Sequence, residues 1–323
     1  MRVVVDQYIP FVVEAVQKEW PQVEICPMKP KESRPSAAEK PEQIGAEAVR
    51  EADVLIVRTR TQVNEQLLEG SRVRMVCTAT IGYDHIDTAY CLSKGIRWMS
   101  CPGCNAQAVC DYIEEAIEEF RIQNSEFRFQ TIGIVGVGHV GSLVAQMAER
   151  KGLKVLLNDP PKGIGVSLAE IAKNSDIITF HVPLDKTTYH LCDESFLKQC
   201  KPKALIINAA RGGVVDEQAL LRSGHPYILD TWENEPNLNT EVLKGSLRAS
   251  MHIAGYSEEG KRNASQMCLD AIAEVYGLRK INLPVTRLLP AGDTAPGWLA
   301  RITEALKAHP TDFEGLRKNY VLR

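Results

Sequence analysis

Residues 131–141 read Thr-Ile-Gly-Ile-Val-Gly-Val-Gly-His-Val-Gly, and this string constrains the fold more than any other part of the chain. Thr131–Val135 is a short apolar run of the kind that forms a buried strand. Gly136, Gly138 and Gly141 follow it in a GxGxxG frame, and Leu143–Arg150 has helical spacing that ends at Lys151-Gly152. A second strand is expected at Lys154–Leu157. Asp159 comes next, close to the ~20-residue spacing at which an acidic group meets adenosine ribose hydroxyls. Gly136 permits a tight turn, Gly138 lets the backbone approach a pyrophosphate, and Gly141 lets the helix pack close to the strand. The amino terminus of that helix offers unpaired N–H groups and a positive dipole end to phosphates, and His139 and Val140 are read as cofactor-binding residues with it. The segment reads as a strand–turn–helix unit that binds a dinucleotide.

With 323 residues the chain is long enough for two domains. Its 44% hydrophobic and 24% charged residues are those of an ordinary soluble globular protein. A net charge of −3 without a basic cluster argues against nucleic acid as a partner. No apolar run reaches the ~18 residues that a membrane span needs. Met1-Arg2 leads straight into Val3-Val4-Val5-Asp6, a first strand rather than a signal peptide, so a cytoplasmic location is expected. The nine cysteines are odd in number and lie mostly in apolar segments, which points to reduced thiols. Cys101-Pro102-Gly103-Cys104 has the spacing of redox pairs and of half a zinc site. No second CxxC completes a tetrahedral set, so the motif reads as a turn before a helix and no metal is expected.

Short strands and helices alternate through the first hundred residues. Strands are expected at Val3–Val5, Val23–Cys26, Val54–Val57, Met75–Thr78 and Ile96–Met99, with helices at Phe11–Lys18, Ile44–Arg50, Glu65–Leu68 and Thr88–Ser93. Met28–Pro41, rich in proline and lysine, reads as a surface loop. A long helix is expected from Ala106 to about Gln123. Beyond the glycine turn the alternation resumes, with strands at Ile177–His181, Ala204–Asn208 and Tyr227–Asp230 and helices near Leu168–Lys173, Glu194–Leu197 and Glu217–Arg222. A last long helix, Glu258–Gly277, carries the chain back to the first domain. The expected architecture is α/β: a Rossmann-type doubly wound parallel sheet over 101–257, and a second α/β domain over 1–100 completed by the return helix 258–277. Residues 278–323 read as a short C-terminal appendage too small for its own core.

Catalytic groups on such a sheet belong at the carboxyl ends of its strands. Three segments stand out there: Asn208-Ala209-Ala210-Arg211-Gly212-Gly213, Asp230-Thr231-Trp232-Glu233-Asn234-Glu235-Pro236, and His252-Ile253-Ala254-Gly255-Tyr256. Arg211 is a planar bidentate donor among glycines that bare the backbone, suited to gripping a carboxylate. Singly, each segment has an ordinary reading as a surface ion pair, a solvated turn or a core histidine. Together, downstream of a dinucleotide turn, they read as a catalytic set.

This set resembles that of the D-isomer-specific 2-hydroxyacid dehydrogenases, which carry an Arg after Asn-x-x, a Glu before Pro, and a His before a small-residue turn. Arg211, Glu235 and His252 match position by position, and the likeness covers roughly residues 1–277. The likeness is tighter to the branch of that family that oxidises 4-phosphoerythronate on the route to pyridoxal phosphate. Residues 57–65, 78–87, 102–106 and 252–261 carry it, and Leu316-Arg317-Lys318-Asn319-Tyr320 resembles part of that branch's dimerisation extension. The resemblance implies a second domain of flavodoxin-like form, a homodimer and NAD. Asp159 would hold the adenosine ribose, and Pro160-Pro161 after it favour NAD over NADP. Val182 and Ala209 would line the cofactor, Asp230 would bond the nicotinamide amide, and Gly255 would approach the ring. It further implies His252 as the base, Glu235 as the group that orients it, Arg211 on the substrate carboxylate, and Thr59, Thr80 and Tyr256 on a small phosphorylated hydroxy acid. Arg58 and Arg60 could add charge for the phosphate. Alternatives are a dehydrogenase of phosphoglycerate or hydroxypyruvate type and an NAD-sensing, corepressor-like binding protein. The sequence departs from the branch in a shorter C-terminal extension, in shortened loops near Gly163–Ser167 and Gly224–Tyr227, and in an abbreviated linker at Asn124–Gln130.

Overall fold

The computed structural model describes residues 1–28, 44–123, 129–284 and 297–321. The loop expected at Met28–Pro41 therefore lies almost wholly outside the described residues, as do most of the linker 124–130 and the tail around Pro290 and Pro296. The chain divides into two units, Met1–Asn105 with Glu258–Arg287 and Ala106–Ser257 with Leu288–Arg323.

The first unit is built on five strands: β1 (Arg2–Asp6), β2 (Glu24–Met28), β3 (Val54–Val57), β4 (Met75–Thr78) and β5 (Arg97–Met99). All pair in parallel, in the flavodoxin-like order β2-β1-β3-β4-β5. Both faces of the sheet are covered, which is why its strands read as unbroken apolar runs. Val3 and Val5 point into one core with helices Val12–Glu19 and Glu258–Tyr276; Val4 points into the other, with Val49, Leu67 and Cys91 of three short helices. Cys101 packs 3.8 Å from Cys268 of the return helix. All nine cysteines are free, and among the described residues no cluster could hold a metal ion.

The second unit carries β6 (Thr131–Val135), β7 (Lys154–Asp159), β8 (Ile164–Gly165), β9 (Ile177–Phe180), β10 (Leu205–Asn208), β11 (Tyr227–Leu229) and β12 (Arg248–Ala249). Their order is β12-β11-β10-β9-β6-β7-β8, parallel throughout except for β8 on β7. The winding reverses between β6 and β9, the switch point where α/β sheets bind ligands. The helix after β6 runs from His139 to Arg150, a turn earlier than its spacing suggests, because Gly138 serves directly as its N-cap. The sequence did not signal β8, β12 or the helix Thr240–Gly245. Among the described residues no helix is long and apolar enough to cross a membrane.

The tail is no separate appendage. Ile281 and Leu283 bury in the first unit. Trp298, Leu299, Ile302 and Leu306 of the helix Trp298–Ala308, with Phe313, bury in the core of the second. Trp298 meets the Tyr112 ring edge-on at 5.9 Å. The Thr303 hydroxyl accepts from the Ala249 N–H at 2.9 Å, closing part of the open edge of β12. Lys307 donates to the Lys244 and Ser246 carbonyls at 3.1 and 2.6 Å, at the end of a helix where cations belong. Trp298→Ala should therefore cost about 3–5 kcal/mol, the range for truncating a buried tryptophan. Urea unfolding of the two proteins measures it, and a loss under ~1 kcal/mol would place the tail outside the core.

Candidate active site

The glycine turn after β6 is sterically determined. Gly136 has φ +93°, and a Cβ there would lie 2.6 Å from the His181 carbonyl oxygen and 2.8 Å from Val182. A Cβ on Gly141 would lie 1.9 Å from the Gly136 carbonyl oxygen. Gly138 differs, because nothing stands within 4 Å of its missing side chain. Its open side borders a cavity of about 360 Å³ lined by Val137, Gly138, His139, Ser142, Leu143 and Lys162. Backbone N–H groups at a helix start, next to an open glycine, fit the pyrophosphate of a dinucleotide. Asp159 ends β7, and its carboxylate accepts from the Val137 N–H at 2.9 Å. Lys162 donates to the Val137 carbonyl at 2.7 Å and stands 3.8 Å from Asp159. Val140, Val182 and Ala209 are half-buried and pack against the core of the unit.

The acid–base group lies at the ends of β11 and β12. His252 Nδ1 is 2.9 Å from Glu235 Oε2, and Glu235 Oε1 accepts from the Trp232 N–H at 2.9 Å. Burial acts to raise the Glu235 carboxyl, but the His252 hydrogen bond and charge, the Trp232 N–H and the Arg317 charge outweigh it. The carboxyl ends up below its ordinary value. An ionised Glu235 can only accept, so Nδ1 of His252 is the donor and Nε2 is left with its lone pair. His252 sits at φ +57°, a left-handed backbone. Asp230, 1% exposed, holds that conformation. Its carboxylate accepts from Ser250 Oγ at 2.6 Å and from the N–H groups of Ile253 and Ala254 at 2.8 and 3.0 Å. The resemblance gives Asp230 to the nicotinamide amide; in the structure its hydrogen bonds fold the His252 turn. Gly255 lies half-buried just beyond that turn.

Arg211 begins a one-turn 3-10 helix, Gly212–Val214, after β10. Buried Asn208 ties the loop, donating to the Arg211 carbonyl at 2.8 Å and accepting from the Ala210 N–H at 3.1 Å. A Cβ on Gly212 would lie 1.9 Å from the Trp232 carbonyl oxygen, so the backbone carrying Arg211 rests on the backbone leading to Glu235. The three sequence segments thus come together in one unit. Sequence reasoning missed the residues behind them. Trp232 Nε1 donates to the Ser250 carbonyl at 2.8 Å, and Tyr112 shares a 2.8 Å hydroxyl contact with Ser250. It also missed Arg317, whose guanidinium carbon lies 5.3 Å from the Tyr256 ring centre. A buried aromatic carries no local sign of such a partner.

The other expected substrate residues lie on the first unit. Thr59 is exposed at the end of β3. Thr80 Oγ1 donates to the Gly82 carbonyl at 2.9 Å and lies 2.7 Å from Thr78 Oγ1. Arg58 is fixed on Asp6 by one edge, with Nε and Nη2 donating to the two carboxylate oxygens at 2.8 and 3.1 Å, so it is a structural arginine rather than a loose surface charge.

Residues 107–254 match the model of the D-isomer specific 2-hydroxyacid dehydrogenase NAD-binding domain. The erythronate-4-phosphate dehydrogenase of Bacteroides thetaiotaomicron is 40% identical, over 100% of this chain and 97% of the relative. That of Salmonella schwarzengrund is 36% identical over 100% and 92%. Among solved structures, NAD-bound 3-phosphoglycerate dehydrogenase of Entamoeba histolytica is 25% identical with a TM-score of 0.70, covering 90% of this chain and 99% of that one. The chain belongs to the D-isomer-specific 2-hydroxyacid dehydrogenase family and is an NAD-dependent dehydrogenase.

Proposed function

We propose that this enzyme oxidises 4-phospho-D-erythronate at its C2 hydroxyl to 3-hydroxy-2-oxo-4-phosphooxybutanoate, a step toward pyridoxal phosphate. The observation that carries the reading is the 2.9 Å contact between His252 Nδ1 and Glu235, in a chain whose full-length relatives are named for that substrate. NAD, when bound, supplies the acceptor for the hydride that leaves C2. His252 Nε2 takes the hydroxyl proton as the carbonyl forms. Glu235 keeps Nδ1 protonated and stabilises the resulting imidazolium. Arg211 grips the substrate carboxylate and polarises the developing carbonyl. Gly136, Gly138, Gly141, the helix start at His139 and Val140, and Asp159 hold the coenzyme, with Val182, Ala209 and Gly255 beside it and Asp230 acting through the turn it folds.

Thr59, Thr80 and Tyr256 complete the reading as substrate residues. It also takes the enzyme as a cytoplasmic homodimer. Nine free thiols support the compartment. The dimer rests on the family likeness alone, since Leu316 and Tyr320 of the segment resembling the dimerisation extension pack against the chain's own core.

Mixing the enzyme with NAD and 4-phosphoerythronate should raise absorbance at the NADH band, and faster reduction with glycerate or lactate would contradict the reading. His252→Ala and Arg211→Ala should each lose ~10²–10⁴-fold in turnover with NADH affinity unchanged; unaltered turnover in either removes its role. Stability gives a pH test. The lowered Glu235 carboxyl stabilises the fold above the unfolded carboxylate value near ~4.3, and that contribution fades as pH falls through its own lower value. Wild type should therefore exceed Glu235→Gln in urea stability at neutral pH and converge with it in acid. A gap that persists below pH ~2 would show that the pair is not electrostatically linked to the fold.

A further inference from the structure

We infer that Arg317, on the C-terminal helix Phe313–Lys318, forms an anion site beside the acid–base pair and takes the phosphate of the substrate. The inference rests on the reading of the substrate as a phosphorylated hydroxy acid. Arg58 and Arg248 are each closed by a tight carboxylate: Arg58 lies edge-on to Asp6, and Arg248 is paired with Glu119. Arg317 is not. Its side chain is 25% exposed, yet its one ion pair among the described residues is a 3.5 Å contact to half-exposed Glu314 on its own helix. Its Nε is buried without an acceptor. The guanidinium lies instead over the face of Tyr256, 5.3 Å from the ring centre, in the turn that follows His252. Its positive charge reaches Glu235.

Stacking on an aromatic face holds a guanidinium by the ring quadrupole and fixes its plane while leaving its N–H edge free to donate. A planar fork with an uncommitted edge matches the oxygens of a phosphate. Arg211, whose side chain donates to the Ala210 carbonyl at 2.8 Å, serves the carboxylate in the same reading. A substrate with two anionic ends needs a second cation, and Arg317 supplies it on the same unit as the base. The placement does not depend on the arginine. Phe313, 1% exposed, and the partly buried Leu316 and Tyr320 pack the helix against the core. A substitution at Arg317 should thus leave the fold in place.

The test titrates inorganic phosphate into the NADH complex of wild type, Arg317→Ala and Arg317→Lys, and compares kcat/KM for 4-phosphoerythronate with that for unphosphorylated erythronate. Unchanged NADH affinity confirms the fold of each variant. The expected result is phosphate binding that competes with the hydroxy acid, weakened at least tenfold in Arg317→Ala and partly restored in Arg317→Lys. The phosphorylated acid alone should lose at least tenfold in kcat/KM. Phosphate affinity within twofold of wild type in Arg317→Ala, or an equal loss for both acids, would overturn the inference. Failure of the substrate reading looks different: wild type would then prefer an unphosphorylated acid, whatever Arg317→Ala does to the binding of inorganic phosphate.

Discussion

The carboxylate of Asp230 folds the turn that carries His252. Left-handed backbone at a residue other than glycine costs on the order of 1–3 kcal/mol, and His252 occupies such a conformation. Three hydrogen bonds to a carboxylate, each worth about 1.5–3 kcal/mol, outweigh that cost. They come from Ser250 Oγ and from two successive backbone N–H groups just beyond His252. A polar group this deeply buried is tolerable only when satisfied, and satisfying it dictates the path of the turn. The histidine ring is thereby aimed at Glu235, which Trp232 and its own burial hold in place.

The parallel sheet explains why these groups meet at all. The glycine turn, the arginine loop, the Glu235 loop and the His252 turn follow β6, β10, β11 and β12, and Asp159 ends β7. Parallel strands deliver all of their carboxyl ends to one edge, so residues far apart in the chain converge without any long-range design in the sequence. Close packing then fixes the loops on one another. Gly136 admits His181 and Val182, Gly141 admits the Gly136 carbonyl, and Gly212 admits the Trp232 carbonyl.

Much of this was legible in advance, for physical reasons that differ by element. β1, β3, β4, β6 and β10 are buried on both faces, and such strands announce themselves as unbroken apolar runs. The long helices did so by their period. The two-residue strands β8 and β12 have no period to read, and the helix Thr240–Gly245 is too short to show one. Arg211, Glu235 and His252 were found because each sits in a recognisable local string. Ser250 and Tyr112 were not, since the contact between them joins residues 138 positions apart. The tail misled for a related reason. Its apolar residues are too few for a core of their own, and nothing local says that they complete another one.

Glu235 fixes His252 in the tautomer whose Nε2 can accept a proton. Nitrogen-15 NMR of histidine-labelled enzyme, with His252→Ala to assign the signal, tests it most directly. In the neutral ring the protonated nitrogen should be Nδ1, with Nε2 bare and the Nδ1 proton shifted downfield by its bond to Glu235. A neutral His252 carrying its proton on Nε2, or averaging between the two tautomers, would contradict the account.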